Sequence, residues 1–425
     1  MSENLEGMQK ALNNLAEFCD KWKLDINPSK SKFMCLDQTK NAKCNILKYK
    51  DLNLEQLKEY TYLGIIFSEN GSFVSAIDTL YKKGLKSYFK LLKILNPLPS
   101  AKTMLHLFDH LVKPIILYGC EIWGPCNIKI PEFIQNENSW KRLQAEFTLE
   151  YKMSKRNNPF EKLHMQMCRK ILGVNNKTSI AGIYGELGRY PLYINIIQQC
   201  QRYATHIENI EKNTLLQKIY KSFKQSDPEN DNKPNILSFN YNLSKIYKAN
   251  NNFISSNVHN NTSIFKERYR NFWYKQIRNL DSQSGIGNNK MRTYSLIKTN
   301  FQFDPYLNKP TNHTNLARFR LSAHKLKIET GRYNSKNKYV PPDARLCDNC
   351  TMGKIEDEIH FLTECPKYNT ERTTLFASAL LNCNLFSTLS NHNKFIWIMT
   401  NESTEIINAL ETFIHFATLK QISCY

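Results

Sequence analysis

The sequence predicts a mainly α-helical chain with a small α+β segment close to its start. Three observations carry that prediction. Over several long stretches apolar residues recur at steps of three and four, which lines them along one helix face. From Phe33 to Phe67 the apolar runs are short and β-like, separated by polar segments. Asn-Pro pairs fall where the helical periodicity stops, as breakers should.

In chain order, Leu5, Met8, Leu12, Leu15, Cys19 and Trp22 form one stripe on a helix over residues 3–22, ended by Asn27-Pro28. The runs KFMCL, CNILKY and YTYLGIIF then have the character of strands, and Asn70-Gly71 that of a turn. Ser72 is placed to cap a long helix carrying Phe73, Ala76, Ile77, Leu80, Leu85, Tyr88, Leu92 and Leu95, which stops at Asn96-Pro97. Ser100 is placed to cap a second helix, with Met104, Leu105, Phe108 and Leu111, that stops before Pro114. Helical patterns return at 158–173 and 191–224. From SDPENDNKPN to about Ser263 periodicity is lost, which predicts a flexible linker over residues 226–263. A second structured region runs from near Ile264 to the end.

Hydrophobic residues make up 41% and aromatics 12% of the 425 residues, enough for roughly two or three domains. Lys and Arg total 58 against 38 Asp and Glu, a formal net charge of +20. That excess points to a polyanionic partner, nucleic acid before an anionic membrane surface. The start, MSENLEGMQK, lacks the basic and apolar segments of a signal peptide. No run approaches the ~18 apolar residues of a membrane helix. The expectation is a nuclear or cytoplasmic chain, not a secreted one, with its cysteines reduced outside one cluster.

That cluster lies in RLCDNCTMGKIEDEIHFLTECPKY, as Cys347-x2-Cys350-x9-His360-x4-Cys365. Four soft or borderline ligands at this spacing suit one tetrahedral Zn²⁺. The close cysteines would form a knuckle that Gly353 lets turn, and His360 and Cys365 would come from a short helix and its end. Ile359, Phe361 and Leu362 would pack beneath. Four protein ligands leave no open position, so the zinc would be structural, contributing ~10–16 kcal/mol of apparent binding energy to folding. The bland alternative is four unrelated residues in a cysteine-rich chain.

Three further stretches, in this order, resemble the part of a non-LTR (LINE-type) retrotransposon reverse transcriptase downstream of its Tyr-x-Asp-Asp box. WKLDINPSKSKFMCL, from Trp22 to Leu36, is similar to motif D of that family. YTYLGIIFSENGSF, from Tyr60 to Phe73, is similar to its Tyr-Leu-Gly primer-grip segment, which the thumb follows. LFDHLVKPIILYGCEIWG, with RKILGV and GELGRYPL, resembles the segment behind the thumb, and the Cys-Cys-His-Cys cluster resembles the zinc motif near the family's carboxy terminus.

The resemblance implies a residual palm edge over 1–70, a helical thumb over 71–125 and a helical connector over 126–225. After the 226–263 linker it implies a basic helical region over 264–425, with the zinc knuckle at 345–368. Lys30 or Lys32 would be the motif-D lysine, a cation beside a phosphate on which charge develops; a solvated surface lysine is the alternative. Tyr62, Leu63 and Gly64 would form a tight hairpin near a primer end, with Gly64 allowing close backbone approach. The alternative there is an ordinary buried strand.

Two-metal nucleotidyl transfer needs paired carboxylates holding two Mg²⁺ ions about 3.5–4 Å apart. The sequence has neither Tyr-x-Asp-Asp nor any Asp-Asp pair. The expectation is a fragment inactive by itself, with a role for Mg²⁺ only if a catalytic half lies upstream or is supplied in trans. Contacts to RNA and DNA, as an RNA/DNA hybrid or the element's own RNA, would remain. Lys82, Lys83, Lys86 and Lys90 on the thumb helix would meet phosphates. Arg268, Arg270 and Trp273 belong to a segment in which basic and aromatic residues alternate, suited to stacking on bases unless its aromatics are core. Arg318, Arg320 and Lys325 form a basic approach to the knuckle. A zinc-stabilised protein-interaction module with no nucleic-acid role is the remaining reading.

Overall fold

A computed structural model describes residues 2, 4–27, 30–36, 46–95, 99–128, 150, 158–210, 214–225, 258–278, 291–308 and 313–422. The first helix, α1 (Leu5–Trp22), starts where Asn4 Oδ1 accepts from the Gly7 N–H at 2.7 Å, and it ends at a left-handed Lys23. The predicted stripe is present and covered only in part: Cys19 is buried and Leu5, Met8 and Leu12 are half-buried, whereas Leu15 and Trp22 are exposed, Trp22 by 62%, with Phe18 exposed beside them. The helix instead clamps β2 (Lys48–Tyr49) through one polar side chain. Gln9 Nε2 donates to the Lys48 carbonyl at 2.7 Å, and Gln9 Oε1 accepts the Lys48 N–H at 2.9 Å, as a neighbouring strand would.

Among the described residues the β structure consists of three two-stranded sheets. β1 (Lys32–Phe33) runs parallel to β4 (Glu55–Gln56), β2 antiparallel to β3 (Leu52–Asn53), and β5 (Glu59–Tyr62) antiparallel to β6 (Ile65–Ser68). Cys35 is disulfide-bonded, contrary to the expectation of reduced thiols outside the cluster; its partner lies outside the described residues.

From the last strand onward helices stack around a continuous core whose buried members run from Ile65 to Ala417. α2 (Val74–Ile94) opens at Phe73, with Ser72 Oγ accepting the Val74 N–H one position ahead of the cap. α3 (Ala101–Leu111) is capped by Ser100 as the sequence predicts. Pro114 then sits in the first turn of α4 (Lys113–Ile116), where its missing N–H is not needed. Where α2 meets α4, a Cβ on Gly84 would lie 2.1 Å from Ile116 Cγ2, so the helices approach across a bare backbone. After α5 (Cys120–Asn127), α6 (Pro159–Leu172) is capped by Asn158 and closed by Gly173 in the left-handed region at φ 63°.

α7 (Ile180–Glu186), α8 (Tyr193–Asn209) and α9 (Leu215–Gln225) precede α10 (Val258–Arg278). Helix therefore occupies Val258–Ser263, the end of the predicted linker, and 226–257 lie outside the described residues. The physical reason lies in the packing. Phe265, Tyr269, Phe272 and Ile277 are buried, and α10 packs on α7 and α8, a docking that fixes the whole helix.

Among the described residues the α-helices that follow are α11 (Tyr294–Ile297), α12 (His313–Arg320), α13 (Lys327–Thr330), α14 (Glu358–Thr363), α15 (Asn369–Asn382), α16 (Asn391–Thr400) and α17 (Thr404–Ile422). α12 and α15 both pack on α17, and α14 packs on α16. The mainly α architecture with a small α+β segment is as the sequence predicts. Among the described residues no helix is long and apolar enough to cross a membrane.

Candidate metal centre and nucleic-acid surfaces

Cys347, Cys350, His360 and Cys365 converge. One ligand atom from each lies within 4.8 Å of all the others. Bond lengths of about 2.3 Å to sulfur and 2.0 Å to nitrogen put tetrahedral ligand atoms about 3.5–3.8 Å apart. The Cys350 Sγ–His360 Nε2 separation of 3.4 Å is close to that figure. A small closure around one ion would complete the set.

Local sequence builds each half of this site. Cys347 N–H donates to the Lys354 carbonyl at 2.8 Å and Leu346 bridges Ile355, so the first two cysteines sit on a small β-turn unit. Gly353 makes its return at φ 62°. On the other side, Asp357 caps α14 by accepting the His360 N–H at 2.8 Å. Phe361 and Leu362 are buried behind the helix, with Phe361 against Phe319, Tyr368 and Phe413. The Cys365 N–H then closes back onto the His360 carbonyl at 2.8 Å.

Burial pushes the Cys347 thiol up to about 12; the Asn349 N–H opposes this, and the neighbouring Cys365, Glu356 and Cys350 add to it. Burial likewise raises Cys365. A divalent ion would reverse the sign, because thiolates crowded in a buried place are stabilised by the charge they bind. His360 Nδ1 faces Glu364 Oε2 at 3.3 Å, leaving Nε2 for the sulfur side. Glu364 is itself held by Lys354 Nζ at 2.7 Å and Asn391 Nδ2 at 2.9 Å. The sequence reading missed Asp357, Glu364 and Asn391, although Asp357 and Glu364 stand three residues before and four after His360, spacings that reach it on a helix.

The residues expected to meet nucleic acid divide into two groups. Lys82, Lys83, Lys86 and Lys90 are all exposed on α2, opposite its buried Leu80, Gly84, Tyr88 and Leu91; Lys82 pairs with Asp78 at 2.6 Å. Arg270, Arg318 and Lys325 are also exposed, with Arg318 Nε donating to the Gly173 carbonyl at 2.6 Å. Trp273 is not available. It is buried, with Nε1 donating to the Ala181 carbonyl at 2.9 Å, so the aromatics of that segment are core. Arg320 is also a correction: it is buried, bonded to Glu186 at 2.9 Å and to the Met399 carbonyl at 2.8 Å. Spent on an interior carboxylate, it offers no charge to a phosphate. Arg268 is half-buried and paired with Glu150 at 2.6 Å. Lys30 is exposed, while Lys32 pairs with Glu55 across the β1–β4 sheet.

The β5–β6 hairpin is tight, with Tyr62 paired to Ile65 and the two-residue turn Leu63-Gly64 at φ 46° and 84°. This is the twist a two-residue hairpin favours. It is not a buried strand: all four residues of β5 are exposed, and Leu63 is 74% exposed. Tyr118 Oη donates to the Leu63 carbonyl at 2.8 Å and its ring lies against Gly64, pinning the tip to the helical body. The hairpin and the α2 lysines are therefore consecutive exposed features.

Against known proteins, the chain is 27% identical over 126 residues to a probable RNA-directed DNA polymerase from transposon BS of Drosophila melanogaster. Over that stretch the chain is similar to a transposon RNA-directed DNA polymerase. The match covers 29% of this chain and 14% of that polymerase's length. No protein-family model matches the chain, and no solved structure does.

Proposed function

We propose that this chain is the carboxy-terminal part of a LINE-type reverse transcriptase, one that grips nucleic acid and carries a structural zinc. The observation that carries the reading is the sequence relation to the transposon polymerase. In this reading residues 1–70 are a palm edge, 71–125 a thumb and 126–225 a connector, ahead of a basic region that ends in a zinc knuckle. The α2 lysines, exposed together, support a thumb that meets the backbone of an RNA/DNA hybrid. The hairpin at Tyr62, Leu63 and Gly64 supports a primer-grip role, because its backbone is presented at an exposed tip. Cys347, Cys350, His360 and Cys365 would hold zinc, which supplies cross-linking of two chain segments and no open coordination position.

The sequence has no Asp-Asp pair of the kind that holds two Mg²⁺ ions, and in this reading the chain binds nucleic acid without polymerising by itself. The test is a binding series of the purified chain with an RNA/DNA hybrid at rising salt, beside a primer-extension assay. Binding that falls steeply with salt, without extension, is expected. Salt-independent or absent binding would favour a zinc-stabilised protein-interaction module instead.

A second reading has one observation in its favour. The apolar face of α1 around Phe18 and Trp22 lies uncovered, as it would if a catalytic half packed there. An in-frame Tyr-x-Asp-Asp upstream, or activity restored by adding such a half, would establish it.

A further inference from the structure

A β-turn finger projects just ahead of the metal cluster. Tyr333 and Tyr339 face each other as an isolated antiparallel bridge, and the Val340 N–H donates to the Arg332 carbonyl at 2.9 Å. Between them the tip Asn334-Ser335-Lys336-Asn337-Lys338 is wound on one side chain. Asn334 Oδ1 accepts the N–H groups of Lys336 at 3.0 Å and Lys338 at 2.9 Å, while the Asn334 N–H donates to the Lys338 carbonyl at 2.9 Å. Asn337 takes the left-handed conformation at φ 55° that asparagine tolerates. The base is as firm as the tip. Arg345, buried and two residues from Cys347, donates twice to the Val340 carbonyl, at 3.0 and 2.7 Å, and once to that of Ile328, at 2.6 Å. Its guanidinium also lies 5.5 Å from the centre of the Tyr339 ring.

This rigid finger presents chemistry that the fold does not use. Tyr333 is 60% and Tyr339 44% exposed, their rings edge to face at 6.2 Å, and Lys336 and Lys338 are exposed beside them. Two solvent-facing tyrosines contribute little to a core, and two cations on a five-residue tip repel each other unless an anion joins them. An anionic bilayer would want an aliphatic or tryptophan anchor, and the tip has none. An unpaired base has a face for Tyr333 and flanking phosphates for the two lysines.

We infer that the Tyr333–Tyr339 finger is a binding site for single-stranded nucleic acid, taking an unpaired base on Tyr333 and its neighbouring phosphates on Lys336 and Lys338. The inference rests on the nucleic-acid reading above and adds a site which that reading does not contain. Arg345 ties the finger to the metal cluster, so the base-binding surface and the folded knuckle come as one unit.

The test uses the full chain with fluorescent oligouridylate and oligothymidylate, a hybrid duplex as reference, and anionic vesicles as control. Tyr333→Leu should weaken binding of one or both single strands roughly tenfold, and Tyr333→Phe should restore it, because every aromatic offers a stacking face. A loss on both oligomers assigns the site to the base and phosphates alone; a loss on RNA alone adds the ribose hydroxyl. Lys336→Ala with Lys338→Ala should lower the slope of log affinity against log salt by about 1.4, the share of two phosphates on a single strand. Single-strand affinity unchanged in Tyr333→Leu, with hybrid binding intact, overturns the finger and leaves the proposed function standing. Failure of the unaltered chain to bind any nucleic acid overturns both. Vesicle binding that depends on Tyr333 while oligomer binding does not overturns the finger in favour of a membrane.

Discussion

Glu364 Oε2 lies 3.3 Å from His360 Nδ1, on the side of the ring turned away from Cys350. A carboxylate in that position fixes the ring's orientation and tautomer and raises the basicity of the opposite nitrogen. Glu364→Gln should therefore lower zinc affinity about 10–100-fold without unfolding the chain. Competition with a chromophoric chelator measures it. Unchanged affinity would mean that this carboxylate does not support a metal ligand.

The four converging side chains themselves predict about one tightly held zinc per chain after exhaustive dialysis. Cys347→Ser with Cys350→Ser should lose the ion and melt the segment around α14, seen as faster amide exchange there. Retention of one zinc in the double variant would remove the site.

Asp109 gives a pH prediction with a definite sign. Burial alone would raise its pKa, but Arg189, bonded through both nitrogens at 2.6 and 2.7 Å, and Lys113 bring the carboxyl down to about 2. A pKa lower in the folded chain means stability that is fully present above the unfolded value near 3.8 and lost as pH falls toward about 2. Glu358, buried but held by His324 and Arg292, is brought down from 4.5 to about 2, so its contribution is lost over the wider span between those values. Asp109→Asn should cost on the order of 1–2 kcal/mol at neutral pH, after allowance for partial exposure, and progressively less as pH falls through about 2. Urea denaturation of both chains across that range tests it; a constant difference would show that the ion pair is not its source.

Gly84 gives a packing prediction. A methyl group there meets Ile116 at 2.1 Å, so Gly84→Ala should destabilise the chain by about 1–3 kcal/mol despite alanine's better helix propensity. Ile116→Ala in the same chain should recover part of that loss, a coupling readable from a double-mutant cycle. Strict additivity would mean that the two helices simply move apart.

The thumb reading can be tested on exposed residues alone. Replacing Lys82, Lys83, Lys86 and Lys90 with alanine should lower the salt slope of hybrid binding by up to about 0.9 for each phosphate that is no longer neutralised. Thermal stability should barely change, since all four are exposed. An unaltered slope would detach α2 from nucleic acid.

Much of this structure is legible in the sequence because it is local. Helix faces, the cap at Ser100 and the cysteine-histidine spacing need only neighbours along the chain. The environment of a side chain is different. Trp273 and Arg270 belong to the same basic-aromatic run, yet one is buried against Ala181 and the other faces solvent. Arg318 and Arg320 are two residues apart and equally basic, but the helix turns one outward and buries the other on Glu186, which lies 134 residues away. The tyrosines of the finger carry no signal of their own in the sequence, because their segment takes its shape from Asn334 at the tip and from the buried Arg345, which bonds the Val340 and Ile328 carbonyls.

Most helix faces, the net positive charge and the spacing of the four cysteine and histidine side chains were fixed along the chain, since each depends on short-range geometry or simple addition. Which cations stay free for an anion, and which apolar stripes stay uncovered, α1's among them, was decided only when the chain folded. Exposure is set by contacts between segments far apart in the sequence, and no periodicity within a segment records them.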